Sequence, residues 1–488
     1  MGNRLVDLAS EAGGGEVVFA NDEFFAAAER LIHPAEPEWR EGVYTNRGKW
    51  MDGWESRRRR QPGHDWCVVR LGIAGVVVRV IVDTTHFKGN APEAFGLDGS
   101  GAAPGTARED LAAAEFPWSP LVDRAELRPD HRNEFDVTSD RRVTHMRLRI
   151  YPDGGVARLR VLGTPLPALP DVAPDDALPD LASTVLGGEI EAVSDEFFSS
   201  PEQVLRPSPS TGMHDGWETR RRRGDGHDWL VVRLGLPGTP ASVLVDTTHF
   251  KGNAPGWISV DAAAADDDWT EIIPRRPVAP NRHHLVEAQA SRAATRIRLN
   301  LYPDGGIARL RVYGRPDSDA LEAIRLAYLN RLYDDEARRL FGVACRVGRF
   351  IDSMMAARPL ADGRAVLDAA EGAFAALEEP DWLEAFASHP RIGERTRHPW
   401  AAREQAGTAG APAEILEALA EGNARYEERF GFPFIVFASG RSAGEVLAAL
   451  HERLAHDRPE ELTRAAAEQR RIAALRLRHM LCIAGEET

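Results

Sequence analysis

The hydrophobic pattern of this chain changes period once. Up to about residue 314, apolar residues come in short β-branched runs bounded by Gly, Asp or Pro. Examples are HDWCVVRLG (64–72) and GVVVRVIVDTTHF (75–87), which predict strands. In RLRIYPDGGVARLRV (147–161), two alternating runs flank Pro-Asp-Gly-Gly and predict a hairpin. Alternation sets Leu148 and Ile150 on one face and Arg147 and Arg149 on the other. From Glu322 to Leu481 the spacing becomes helical and the chain turns rich in Ala, Leu, Glu and Arg. RSAGEVLAALHERLAH (441–456) opens with a capping box, Ser442 to Glu445, followed by an apolar stripe of Val446, Leu447, Leu450 and Leu454. The pattern therefore predicts a β-rich region followed by an all-α domain.

The β-rich region is written twice. DGWESRRRRQPGHDWCVVRLG (52–72) returns as DGWETRRRRGDGHDWLVVRLG (215–235), and VDTTHFKGNAP (82–92) returns unchanged at 245–255. GGEVVFANDEFF (14–25) matches GGEIEAVSDEFF (187–198), and RLRIYPDGGVARLRVLG (147–163) matches RLNLYPDGGIARLRVYG (298–314). Spacing to these outer blocks differs between copies, so loops vary while framework blocks do not. Many short strands with turn signals predict a sandwich or a barrel in each copy. The domains expected are repeat 1 over 10–163, a Pro- and Asp-rich linker over 164–183, repeat 2 over 184–314 and the helical domain over 322–482.

Composition narrows the function classes. The chain has 488 residues, too many for one core. A formal net charge of −15 argues against a general nucleic-acid binder. Cys67, Cys345 and Cys482 are too few and too scattered for a disulfide framework or a thiolate metal cage. The first residues, MGNRLVDLASEAGGG, hold no apolar stretch of signal-peptide length and no myristoylation serine, and no apolar run is long enough to span a bilayer. A reducing cytoplasm is the expected location. Small molecules are the expected partners, with neither nucleic acid nor membrane, and a homo-oligomer is the expected assembly.

Two sets of residues carry candidate chemistry in each copy. The Arg runs, Arg57–Arg60 and Arg220–Arg223, lie between a Trp and a His-Asp pair: His64–Asp65 in one copy, His227–Asp228 in the other. Alone, such a run is a solvated basic face. In an extended strand, alternate members share a side and hold a small carboxylate by bidentate contacts. Downstream, Asp83, Thr84, Thr85, His86, Lys88 and Asn90 crowd a strand end that feeds a Gly-Asn loop. His86 is a candidate acid or base and Lys88 an anion anchor. Equally, Asp and Thr cap a turn there, while Gly89 and Asn90 supply unusual backbone angles. In repeat 2 the same candidates are Asp246, His249 and Lys251. His64, Asp65, Asp83 and His86, with their counterparts His227, Asp228, Asp246 and His249, offer N/O ligands to a divalent metal, although their spacing fits no strong metal motif.

With GKWMDGWESRRRR, GHDW, VDTTHFKGNAP and YPDGG in place, residues from about 10 to 315 resemble the allantoicase family. The resemblance implies two tandem jelly-roll β-sandwiches and hydrolysis of allantoate to ureidoglycolate and urea. Allantoate is a small carboxylate whose ureido arms suit Asp, Thr and Asn partners. Neither the working repeat nor a divalent metal requirement is fixed by it.

In the helical domain, WLEAFASHPRIGERTRHPW (382–400) sets His389 before Pro390, which ends a helix there. A histidine at a helix end is either a titrating group or a C-cap. FGFPFIVFASG (430–440) is an apolar run broken by Gly and Pro, either a core crossing or a strap with free backbone amides. Arg476 lies four residues after Ile472, on or beside an apolar stripe. HPRIGE, EQAG, FGFPFI and LRL together resemble the decarboxylase family acting on 2-oxo-4-hydroxy-4-carboxy-5-ureidoimidazoline (OHCU), over about 328–481. The resemblance implies cofactor-free decarboxylation of OHCU to (S)-allantoin. It implies His389 as the acid that protonates the carbanion, Glu404 as the group orienting the substrate, and Arg476 as the carboxylate anchor. Pro390, Ala401, Ala402, Arg403, Glu404 and Gln405, with Phe434, Ile435, Val436, Phe437 and Ala438, would line the pocket. Family members often carry Ser where this chain has Ala401. The two resemblances imply a bifunctional enzyme of urate breakdown; the competing reading is a tandem jelly-roll ligand-binding module with a helical oligomerisation domain.

Overall fold

A computed structural model describes residues 5–168, 178–265, 268–289, 292–389, 391 and 411–481. The chain forms two compact units, residues 1–333 and 334–488. The first holds both β-repeats and the second is helical.

Each repeat is organised by one long strand, Asp65–Asp83 in repeat 1 and Asp228–Asp246 in repeat 2. The sequence reads as two short strands here, yet the backbone runs on through both. The first half of Asp65–Asp83 pairs with Glu16–Ala20 and Arg142–Tyr151, and the second half with Arg132–Asp136 and Arg158–Pro165. Between the halves the chain bends, and the Gly72 and Ile73 amides both donate to the Leu8 carbonyl. The strand thus passes from one layer of a sandwich to the other. The faces of the neighbouring strand Arg142–Tyr151 alternate as the pattern requires, with Leu148 and Ile150 buried and Arg147 and Arg149 on the outer side. Trp54 and Trp217 sit fully buried in the two equivalent cores.

The expected hairpin at YPDGG is not one. Arg142–Tyr151 and Arg158–Pro165 each pair with the long strand. The turn between them instead lends its Gly155–Val156 edge to Trp54–Glu55. Tight turn chemistry favours a hairpin locally, but the tertiary partner takes the hydrogen bonds. Because Asp65 faces Ile150 and Asp83 faces Arg158, this turn brings both ends of the long strand to one end of the sandwich. Parts of each duplicated block of repeat 1 meet there: Asn21 bonds Asp65, Asn90 bonds Glu55, and the Ser56 amide donates to the Gly154 carbonyl.

The expected linker overlaps ordered structure at both margins. The strand Arg158–Pro165 runs into it, and Leu181 already donates to the Val312 carbonyl of repeat 2. The helix Ser318–Arg331, capped by Asp317, packs Leu321 and Ile324 on the repeat-2 core, so the expected helical boundary at 322 falls inside it.

The second unit includes the helices Asp334–Ala344, Gly348–Ala356, Gly363–Ala375, Glu379–Ala387, Ala413–Phe430, Ala443–Arg453 and Arg458–Leu481. The capping box at Ser442 and Glu445 forms as read. Aromatic contacts link Phe350, Phe374, Trp382 and Phe386 through its core. Among the described residues no helix is long and apolar enough to cross a membrane.

Candidate functional site

Much of the duplicated motif is framework. The Asp83 carboxylate accepts from the Thr85 amide, and the Thr84 hydroxyl donates to the Arg128 and His131 carbonyls. Phe87 is fully buried. A Cβ on Gly155 would lie 2.0 Å from its ring, and one on Gly154, at φ +136°, would lie 2.6 Å from the Asn90 carbonyl oxygen. Asp52 is buried against Arg158 at 2.7 Å. Burial works against its charge, but hydrogen bonds from Arg30 and Arg158 hold Asp52 well below the usual carboxylate range. Repeat 2 repeats these bonds with Asp246, Thr247, Phe250, Gly306, Asp215 and Arg309. Turn framework therefore explains the Asp and Thr positions in both copies.

His86 and His249 share a further constraint. Both have φ +73°, unusual for a residue with a Cβ. Their amides donate to Asp130 and Asn281, and their Nε2 atoms lie 3.3 Å from the Pro37 carbonyl and 3.0 Å from the Ser210 carbonyl. The strain is common to both copies, so it does not choose between them.

The copies differ in what stands over this loop. In repeat 1, Trp39, Lys49, Met51, Glu55, His86 and Lys88 line an open cavity of about 670 Å³, within the range of small-molecule sites. The Glu55 side chain accepts from the Asn90 amide at 2.8 Å. Burial raises the Glu55 carboxyl above its ordinary range, partly offset by that hydrogen bond. Lys88 is exposed, 3.7 Å from Asp130, and Lys49 lies over the Trp39 ring at 3.9 Å. Trp39, Lys49 and Met51 are not among the candidate residues that the sequence singles out, although Lys49 and Met51 lie in the GKWM stretch. The signal was the changed repeat spacing: Phe25 to Asp52 covers 27 positions, whereas Phe198 to Asp215 covers 17.

His64 and Asp65 belong to a different cluster from Asp83 and His86. The His64 ring packs 5.0 Å from Tyr151, beside Arg149, which bonds the Tyr151 hydroxyl and Asp98. Burial, then the charges of Arg149, Arg147 and Arg59, hold the His64 pKa below the ordinary histidine range. Repeat 2 fills the same place with Asn300, which lies 3.1 Å from His227 Nε2 and donates to Ser259 and Asp261. The Arg runs do alternate as expected, but the carboxylates they hold are the protein's own. Arg57 bonds Asp22 and Arg59 bonds Asp65; Arg220 bonds Asp195 and Arg222 bonds Asp228. Among the described residues no three His, Cys, Asp or Glu side chains gather as a metal-ligand group. Lys251 is exposed.

In the helical unit, His389 follows the helix Glu379–Ala387, half-buried, its amide donating to Phe386. Arg476 lies on the buried face of Arg458–Leu481, between Ala473 and Leu477, and donates to the Val343 carbonyl at 3.2 Å. Phe434, Ile435, Val436, Phe437 and Ala438 form a buried strap without regular structure. Its amides are not all free: Phe437 donates to the buried Glu468 carboxylate at 2.6 Å. Pro390, Ala401, Ala402, Arg403, Glu404 and Gln405 lie outside the described residues.

The fold and its end loops define a tandem β-sandwich protein joined to a helical unit. A family model for the allantoicase repeat matches residues 6–166 and 179–317, and one for OHCU decarboxylase matches 330–478. A probable allantoicase of Pseudomonas paraeruginosa is 43% identical over 64% of this chain and 96% of its own length. One from Nocardia farcinica is 44% identical, covering 64% and 94%. The crystal structure of allantoicase from Saccharomyces cerevisiae superposes with a TM-score of 0.55 at 32% identity, covering 64% and 93%. The chain belongs to the allantoicase family and carries an OHCU decarboxylase domain after its two repeats.

Proposed function

We propose that the chain catalyses two reactions of urate breakdown from one polypeptide. The sandwich pair hydrolyses allantoate: water oxygen bonds to the central methine carbon, the bond from that carbon to one ureido nitrogen breaks, and the nitrogen takes the proton and leaves as urea. Ureidoglycolate remains. His86 and Glu55 are the proton carriers on the repeat-1 cavity, and the raised pKa of Glu55 suits an acid. His64, Asp65, Asp83 and Lys88, with His227, Asp228, Asp246, His249 and Lys251, remain the wider candidate set. A divalent metal is an open addition to the assay rather than a step.

The helical unit decarboxylates OHCU without a cofactor. The bond to the carboxylate carbon breaks, CO2 leaves, and His389 supplies the proton that completes (S)-allantoin. Arg476 holds the departing carboxylate and Glu404 orients the ring. The strap Phe434–Ala438 lines the pocket with Pro390 and Ala401–Gln405. The half-buried place of His389 at a helix end and the buried place of Arg476 support these roles.

One observation carries the reading: two family matches with neighbouring chemistry fall on separate stretches of one chain. The ring opening between allantoin and allantoate belongs to neither. The test supplies the purified chain with OHCU made freshly from urate and follows the circular dichroism of (S)-allantoin. Its formation faster than the spontaneous rate, and its loss in His389→Ala, are the expected results. A wild-type rate in His389→Ala removes that residue from the reaction. A cytoplasmic location and self-association complete the proposal.

A further inference from the structure

The two repeats share a framework, yet they are unequal where a substrate would sit. The ten additional residues of repeat 1 include a small hairpin, Tyr44–Thr45 against Gly48–Lys49. This segment sets Trp39 5.7 Å from the His86 ring and brings Lys49 to the cavity wall. Repeat 2 keeps His249, Lys251, Glu218 and Asn253, with Asn253 donating to Glu218 as Asn90 does to Glu55. It has Gly212 where the inner-block spacing sets Lys49, and no counterpart of the hairpin. Asn253 there lies against the Met213 sulfur at 3.6 Å.

Resting on the allantoate reading above, we propose that repeat 1 holds the chain's one allantoate site, in the cavity built by its extra hairpin. Lys49 and Lys88 hold the substrate carboxylate, and the Glu55–Asn90 pair meets a ureido arm. Two cations lining one cavity suit a single carboxylate, whereas an amide beside a carboxyl offers a ureido group both donor and acceptor. At the matching positions repeat 2 keeps Lys251 but has Gly212 for Lys49 and His214 for Met51. Lys49 lies in the GKWM stretch just ahead of the shared DGWE block, so comparing the two copies does not single it out as a binding residue.

The test uses the full chain throughout, with the thermal unfolding transition of the sandwich unit as an internal check that each variant is folded. Lys49→Ala is expected to raise the KM for allantoate about tenfold or more, with a smaller change in kcat. Lys49→Arg should recover part of the loss, and Lys251→Ala should stay within about twofold of wild type. Calorimetric titration with allantoate should give one site per chain. A loss confined to Lys251→Ala, or two sites of equal affinity, overturns the proposal. So does an unchanged KM in Lys49→Ala beside a raised one in Arg149→Asn, which would move binding to the guanidinium cluster around His64. Wild-type chain that releases no urea defeats the underlying reading instead, so the two failures are distinguishable.

Discussion

The helical unit hangs its strap on a buried ionic hub. Glu461 is fully buried and accepts from Tyr426 and from Arg453, at 2.8 Å from Nε and 2.5 Å from Nη2, and sits 2.7 Å from His456 Nδ1. Arg453 in turn donates to the Ile435 carbonyl at 2.7 Å and stacks over Phe434. Glu461→Gln keeps the shape and an acceptor but leaves the Arg453 charge buried without its counter-ion. Breaking a buried pair from one side costs about 3–5 kcal/mol, and the retained acceptor places this change near 3. For a unit of this size, at about 3 °C per kcal/mol, the helical transition should fall by about 10 °C. Scanning calorimetry of the full chain measures it, with the transition identified by loss of (S)-allantoin formation after heating to successive temperatures. The double change Arg453→Met, Glu461→Leu removes both charges and should recover most of the loss, because the cost lies in the orphaned charge. Its (S)-allantoin formation should remain impaired, since the Ile435 carbonyl has lost its donor. A Glu461→Gln transition within about 1 °C of wild type refutes the idea that the hub is a coupled buried network.

Three further outcomes are expected. Burial, then the nearby Arg70 charge, pushes the buried His145 down to about 4, below its ordinary value, so the folded chain disfavours its charged form. The unfolded chain then binds the extra proton between about pH 6.5 and about pH 4; stability is full above that window and falls by about 3 kcal/mol across it. Urea midpoints at several pH values should show this slope in repeat 1, and His145→Gln should flatten it. Gly155→Ala drives a Cβ into the Phe87 ring and should cost about 3 kcal/mol or leave the chain insoluble, as read by chemical unfolding; Gly105→Ala, with open space around it, should cost less than about 1 kcal/mol. Ala401→Ser restores a hydroxyl common in the decarboxylase family and should lower the KM for OHCU about 2- to 12-fold, measured from initial rates of (S)-allantoin formation.

Fold class was legible because period and duplication are strong signals: alternation placed Leu148 and Ile150 in the core, and the Ser442 capping box opened its helix. What local pattern missed was tertiary partnering. The YPDGG turn carries hairpin residues, yet its edge pairs with Trp54–Glu55, and the bend near Gly72 hides that two apparent strands are one. The site was half legible for a related reason. Identical blocks advertise themselves, but Asp83, Thr84 and Phe87 are identical because backbones interlock around them. The residues that distinguish the copies, Lys49, Trp39 and Arg149, stand where the alignment breaks or changes, and only proximity in the folded chain joins them to His86 or His64.

The most direct test is the product ratio when the folded full chain consumes allantoate, with and without added Mn2+. One urea and one ureidoglycolate per allantoate, with no ammonia, is the expected result, because the bond broken is the one from the methine carbon to a ureido nitrogen. Ammonia in place of urea, or allantoate left unconsumed under both conditions, contradicts it.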